Sequence, residues 1–299
     1  MSFKMLFVYF LLISASGVCA KGIAFSFDDG FNTRKQTRAE EWNNSILGSL
    51  SKVNLKAIFY VSGKFVDTPQ GWSLVNDWSD NGHQIANHGY SHYNLNSKKI
   101  SLDDYISDAE KNEKLLNNIP GWTKRYRFPY LKAGNTLEKR DGFRRWMLQN
   151  NYKTGAVSID ASDWYYNQRY LKLVEKDASE KIVVLKKAYL NHLIERAEYY
   201  DGLSNDIYSR SANHVLLLHT NAINAAFLSD ILKMFRSKEW LLLDIDEAYN
   251  DPIYLCLADV LPAGESILWS QAKQHGIKNL RYPAEDSVYE KPVLDALGL

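Results

Sequence analysis

Short apolar runs alternate along the chain with longer stretches whose apolar residues recur every three or four positions. Residues 22–27, 56–61, 153–159, 215–219 and 240–244 read as strands buried on both faces. Between them, residues 38–50, 71–81, 102–118, 140–150 and 225–235 carry the spacing of amphipathic helices. That rhythm predicts an α/β fold with a parallel sheet. Residues 165–213 are long, tyrosine-rich and helix-like, with Leu185, Tyr189, Leu193 and Ala197 four apart, and read as a helical insertion of about 165–213 within a domain spanning 21–250. After Pro252 the periodicity weakens through Pro262, Pro283 and Pro292, which predicts an extension over 251–299 packed on that domain. The chain carries no internal repeat or low-complexity tract.

Residues 1–20 break the pattern: Lys4 precedes an apolar stretch, and small residues lead to Ala20. This is the layout of a secretory signal peptide, and the apolar run falls short of the ~20 residues that span a bilayer. The expectation is an exported protein, periplasmic or secreted, with no stable membrane anchor after cleavage. Removal of Cys19 with the leader leaves Cys256, so no internal disulfide is expected, and a lone cysteine is by default a buried thiol. With 299 residues, 45% hydrophobic, the chain is long enough for a substantial core. Its 36 basic and 35 acidic residues create no global field to gather nucleic acid or anionic membrane, so recognition must come from a local site.

Candidate chemistry begins at Phe25-Ser-Phe-Asp-Asp-Gly30, where an apolar strand ends in Asp28 and Asp29. A strand followed by Asp-Asp-Gly is more often a turn than a site. The segment Gly82-His-Gln-Ile-Ala-Asn-His-Gly-Tyr-Ser-His92 changes those odds. On a helical turn His88 and His92, four apart, would share one face about 5–6 Å apart at Cβ; His83 faces elsewhere and reads as structural. Two imidazoles and one carboxylate leave open positions on a divalent ion, as catalytic zinc requires. The same donors fit non-heme iron, but there the carboxylate and one His share a short motif, so hydrolysis is preferred to oxidation.

Three further segments follow: Arg125-Tyr-Arg-Phe-Pro-Tyr130, Asp160-Ala-Ser-Asp-Trp164 and Leu216-Leu-Leu-His219-Thr220. Each alone is unremarkable. In order, Asp-Asp-Gly, His-x-x-x-His, Arg-x-Pro-Tyr, Asp-x-x-Asp-Trp and Leu-x-x-His resemble the motifs of the NodB-type polysaccharide deacetylases, carbohydrate esterase family 4, over roughly residues 21–250.

The resemblance implies a distorted (β/α) barrel and removal of acetyl groups from an N-acetylated polysaccharide or oligosaccharide: peptidoglycan, a chitin-like oligosaccharide or an exopolysaccharide. It implies that Asp29, His88 and His92 hold one divalent metal, zinc by its donor set. Asp28 is the implied general base, His219 the general acid, and Arg127 the partner that orients Asp28 and keeps it anionic. Tyr130 contributes a backbone N–H to the oxyanion. Asp160 or Asp163 sits against His219; spacing does not choose between them, and Asp160 is slightly favoured. Trp164 and Leu216 are implied walls around the acetyl group and sugar ring, although core packing explains both nearly as well. One departure is Tyr93, which stands where the family usually has Pro and points to a changed loop shape. The tyrosines of the insertion offer a stacking surface for sugars or simply pack it against the barrel. O-deacetylation of xylan or a similar polymer remains open, and a non-catalytic sugar-binding relic is opposed by the presence of every catalytic group.

Overall fold

The computed structural model describes residues 21–281 and 287–299. The expected leader lies outside the described residues. Seven parallel strands form one sheet: β1 (Gly22–Asp29), β2 (Ile58–Val61), β3 (Gln84–Asn87), β4 (Trp122–Tyr126), β5 (Lys153–Thr154), β6 (Asn213–His219) and β7 (Leu241–Leu242). Their order is β5-β4-β3-β2-β1-β6, with β7 beside the start of β1. The sheet curls. Gly155 N donates to Tyr126 O at 2.7 Å, and a few residues on Ile159 pairs with Leu216 of β6. The single stretch 153–159 therefore borders both sides of the sheet and draws it into a distorted (β/α) barrel.

The alternation of β1 explains its place at the centre. Phe25 and Phe27 point outward onto the helices, Phe25 against Phe235 of α7 (Ala222–Ser237) and Phe27 against Trp78 of α2 (Pro69–Asp80). Ser26 and Asp28, one residue out of phase, point inward. The remaining layer comprises α1 (Ala39–Ser51), α3 (Leu102–Leu116), α4 (Leu137–Gln149), α5 (Asp163–Glu175), α6 (Ser179–Tyr208) and α8 (Ile245–Tyr249). Local chemistry sets several starts: Thr68 caps α2 with Pro69 at its first position, Ser101 and Asp104 form a capping box on α3, and Asn221 caps α7.

Two strands lack a sequence signal of their own. β3 has two apolar residues, Ile85 and Ala86, and β4 places Thr123, Lys124 and Arg125 in a row between Trp122 and Tyr126. Both form because β2 and the barrel closure supply partners on either side. The 165–213 stretch folds as α5 and α6, and Leu185, Tyr189, Leu193 and Ala197 are all fully buried. Tyr166, Tyr189 and Tyr200 are buried with them, so these rings pack the helices and offer no surface to a sugar. In the C-terminal stretch, α9 (Ile267–Gln274) and α10 (Glu290–Ala296) bury Leu268, Ala272 and Leu294. Cys256 corrects the default reading. It is exposed, because the 3-10 turn Pro252–Leu255 spends its inward positions on Ile253 and Tyr254. Among the described residues no helix is long and apolar enough to cross a membrane.

Candidate active site

The C-terminal ends of the parallel strands, where a β/α barrel projects its chemistry, surround a cleft of about 780 Å³. Asp28, Asp29, His88, His92, Asp160 and His219 all line it. Asp28 ends the straight part of β1; Asp29 then turns to φ 82 and Gly30 to φ 117, which aims the two adjacent carboxylates differently. Asp28 lies beside His219 in the register of β1 and β6.

His88 follows β3, and the backbone to His92 is not helical, so the helical turn expected for this pair is corrected. The segment is a knot of bends. Asn87 Oδ1 accepts from Gly89 N at 2.9 Å, both Asp108 carboxylate oxygens accept from Ser91 N at 3.0 Å, and Lys64 N donates to Tyr90 O at 2.9 Å. Gly89 at φ 71 and His92 at φ 55 complete the reversal. The imidazoles still meet, with ring centroids 5.0 Å apart. His88 Nδ1 bonds to the Arg127 carbonyl at 2.9 Å. As donor there, it leaves the Nε2 lone pair facing the cleft.

The lone pairs of Asp29, His88 and His92 converge, all within 4.8 Å of one another. His92 Nε2 lies 3.2 Å and His88 Nε2 3.7 Å from Asp29 Oδ1. Donors ~2.1 Å from one tetrahedral ion stand about 3.4 Å apart, so the set fits a zinc-like cation. A second observation agrees: Asp29 Oδ1 is buried and has no hydrogen-bond partner. Burial lowers the pKa of both histidines, keeping them in the neutral form that ligation needs. His83 stands apart. Its Nδ1 accepts from Ala57 N at 3.1 Å, and burial lowers its pKa to about 4.

Behind Asp28, Arg127 is fully buried. Its Nη1 donates to Asp28 Oδ1 at 2.7 Å and Ser26 Oγ at 2.9 Å, its Nε to Gly155 O at 2.7 Å, and its Nη2 to Tyr249 Oη at 3.3 Å. The guanidinium also stacks on the Tyr60 ring, 4.0 Å from its centroid. Burial raises the Asp28 pKa to about 7; Arg127 and His219 pull against this and Asp29 adds to it.

Asp163, at the start of α5, is the carboxylate that meets His219. Its Oδ1 lies 2.6 Å from Nδ1, while its Oδ2 accepts from His219 N, Asn221 Nδ2 and Asn224 Nδ2. Burial alone would lower the His219 pKa, but Asp163, with help from Asp29 and Asp28, outweighs it and pushes the value up to about 10. The slight preference for Asp160 is thus corrected. Asp160 accepts weakly from Ser162 N at 3.5 Å and lines the cleft three residues earlier, before the left-handed turn at Ser162 that delivers Asp163.

Tyr130 lies at the rim, 55% exposed, its ring 4.5 Å from that of His92. Trp164 lines the cleft. Leu216 does not: it is fully buried on the outward face with Phe25, its partner in register, and Leu217 is the wall residue. The two-residue period explains the error, since only odd positions share the face of His219. Sequence reading also missed Ser26, Tyr60 and Tyr249 around Arg127, Asn221 and Asn224 around Asp163, and Glu265 in the cleft wall. Ser26 could have been found by alternation from Asp28, and Asn221 as the cap before an apolar helix. Tyr249 and Glu265 carry no local signal.

With this geometry in place, residues 16–145 match the polysaccharide deacetylase family model. A peptidoglycan-N-acetylglucosamine deacetylase of Bacillus cereus is 32% identical over 143 residues, 48% of this chain and 46% of that protein. A peptidoglycan-N-acetylmuramic acid deacetylase of Bacillus subtilis is 27% identical over 194 residues, 62% and 66% of the two chains. The chain thus spans about half the length of the first relative. Solved structures share the fold. A polysaccharide deacetylase from Bacillus cereus superposes with TM-score 0.52 at 22% identity, covering 75% of this chain and 91% of that one. A CE4 family pseudoenzyme from Bacillus anthracis gives 0.54 at 14% identity, covering 77% and 66%.

Proposed function

We propose that this chain acts as a NodB-type polysaccharide deacetylase of carbohydrate esterase family 4 and hydrolyses acetamide groups of an N-acetylated glycan, with peptidoglycan as the leading substrate. The observation that carries the proposal is the meeting in one cleft of the Asp29–His88–His92 donor set with a carboxylate held by Arg127 and an imidazole held by Asp163. The catalytic set is complete in this chain, which argues against a non-catalytic sugar-binding relic.

Asp29, His88 and His92 would hold one divalent ion, zinc by its donor set, and that ion would polarise the acetyl carbonyl, acidify the attacking water and favour an ionised Asp28. Asp28 takes the proton of the attacking water, its Oδ1 fixed by Arg127 and its Oδ2 turned to the cleft near His88. The Tyr130 backbone N–H donates to the oxygen that becomes negative as the carbonyl is attacked. His219, kept protonated by Asp163, gives its proton to the sugar nitrogen, which is too basic to leave unprotonated. Trp164 and Leu217 flank the acetyl group and the ring.

An exported location suits such a substrate, and sequencing the N-terminus of the protein secreted by its host would test cleavage after Ala20. Acetate release from peptidoglycan, chitooligosaccharide and acetylated xylan, measured side by side, tests the activity. Release from peptidoglycan that chelation abolishes is the expected result. Release from xylan alone would move the assignment to the O-deacetylating esterases, and release from none would overturn both.

A further inference from the structure

The turn that carries Tyr130 is held by the C-terminal stretch, and we infer that Glu265 and Lys132 are positioning residues that fix the Tyr130 N–H through their buried ion pair; the catalytic part of this inference rests on the proposed deacetylase activity. Tyr130 and Leu131 both adopt left-handed backbone angles, φ 58 and 54. Side chains with a Cβ rarely take that conformation, and two in succession persist only where the surroundings over-determine them.

Packing from behind does not supply that constraint. A cavity of about 70 Å³ lies there, lined by Phe128, Leu131, Ala133, Met147 and Ile267 among others. The turn closes on itself through Leu131 N to Phe128 O at 2.9 Å and Lys132 N to Pro129 O at 3.1 Å, and residues 263–265 hold it from outside. Lys132 pairs antiparallel with Gly264; Glu265 N donates to Leu131 O at 2.8 Å, Ala133 N to Ala263 O at 2.9 Å, and Ala263 N to Gly134 O at 2.7 Å. Gly264, at φ 120, is required for this approach, since a Cβ there would stand 1.9 Å from Leu131 O.

Among the described residues, a charged side-chain tie also crosses this bridge. Lys132 Nζ meets the Glu265 carboxylate, and both side chains are nearly buried. A buried pair of this kind contributes little net stability against an apolar alternative, but its geometry is specific. Glu265 lines both the cleft and the cavity behind the turn, so the residue stands in the wall between them. The pair therefore joins the domain carrying the metal donors to the stretch after residue 250. The catalytic cleft is incomplete without that stretch.

The test uses the full chain with its metal. Glu265→Gln keeps shape and removes charge; it should lower kcat by about 10- to 100-fold, the range expected for a misplaced catalytic group, with KM and bound metal unchanged, and should lower the thermal midpoint, because Lys132 is left a nearly buried cation without that carboxylate. Peptide-resolved hydrogen exchange should quicken at the Leu131, Lys132 and Ala133 amides and nowhere else, and the charge-swapped K132E/E265K should recover most of the rate. If Glu265→Gln fails to fold, Lys132→Met is measured in the same way. Unchanged exchange at those amides, exchange quickened throughout the protein and not at those amides in particular, or a rate loss accompanied by lost metal would overturn the inference. Quickened exchange in a protein whose wild type releases no acetate would leave the clamp standing and remove the deacetylase reading instead.

Discussion

Asp28 and Asp163 are the same residue at almost the same burial, 2% and 0% exposed, yet their proton affinities move in opposite directions. Burial raises both. At Asp28 one oxygen receives Arg127 while the other has only His88 Nε2 at 3.6 Å, and burial wins. At Asp163 His219 supplies both its ring and its backbone N–H, and Asn221 and Asn224 add two more donors; together these outweigh burial and lower the pKa. The number of donors aimed at a carboxylate, more than its depth, decides whether it stays a fixed anion or can accept a proton. The first pattern suits a base and the second a support.

The sharpest way to break this comparison is to remove what Asp28 works beside. His88→Ala takes one of three converging donors and should abolish both metal binding and acetate release, a loss beyond the roughly 100-fold typical of outer-shell partners. Elemental analysis with the activity assay checks it. Retained stoichiometric metal would show that the ion is held elsewhere. Asp28→Asn should come next, costing about 10²–10⁴ in kcat while retaining metal, because a base moves protons without supplying coordination. If Asp28→Asn loses the metal and Asp29→Asn keeps it, the two carboxylates have exchanged roles.

Asp163→Asn should cost less, about 10²-fold at neutral pH, and its signature is in the pH profile. As the proposed acid, His219 would act when protonated, and its pKa is raised to about 10, so activity should fall as pH rises through that value. Without the Asp163 charge the pKa drops toward its ordinary ~6.5, and the basic limb moves to lower pH. Stability follows the same sign: the His219 contribution is full below about 6.5 and lost as pH rises through about 10 in the wild type, and is largely absent in the variant. An unmoved basic limb would separate Asp163 from the acid.

These two carboxylates also mark how far the sequence could be read. Asp28 was legible because it ends an apolar strand beside the ligand motifs, and the helices 39–51 and 102–116 were legible from spacing within a few residues of their ends. Asp163 was not separable from Asp160, since the choice is made by one left-handed residue, Ser162, that no periodicity announces. Leu216 was mistaken for Leu217 for a related reason: a one-residue error changes the face of a strand completely. Strands β3 and β4 and the contribution of Glu265 depend on partners distant in the chain, so local pattern could not reveal them.

The smallest expected effect probes how well Arg127 is held, and with it the Asp28 half of the comparison. Tyr249, at the end of α8, accepts from Arg127 Nη2 at 3.3 Å and bonds to Tyr60 Oη at 2.8 Å and Ala156 O at 3.1 Å. Tyr249→Phe removes only this hydroxyl. The ring stays, with its stacking on Arg125, 3.9 Å from the centroid. Three acceptors, Asp28, Ser26 and Gly155, still hold the guanidinium, so Asp28 should keep its orientation. The expected cost is about 1 kcal/mol of stability, the ordinary worth of a buried hydrogen bond, with kcat lowered by a few-fold at most. Denaturant unfolding and steady-state kinetics on the same preparation measure both. If the rate instead falls as far as in Asp28→Asn, the guanidinium is aimed chiefly by Tyr249, and the contrast between a loosely and a tightly held carboxylate must be redrawn around that hydroxyl.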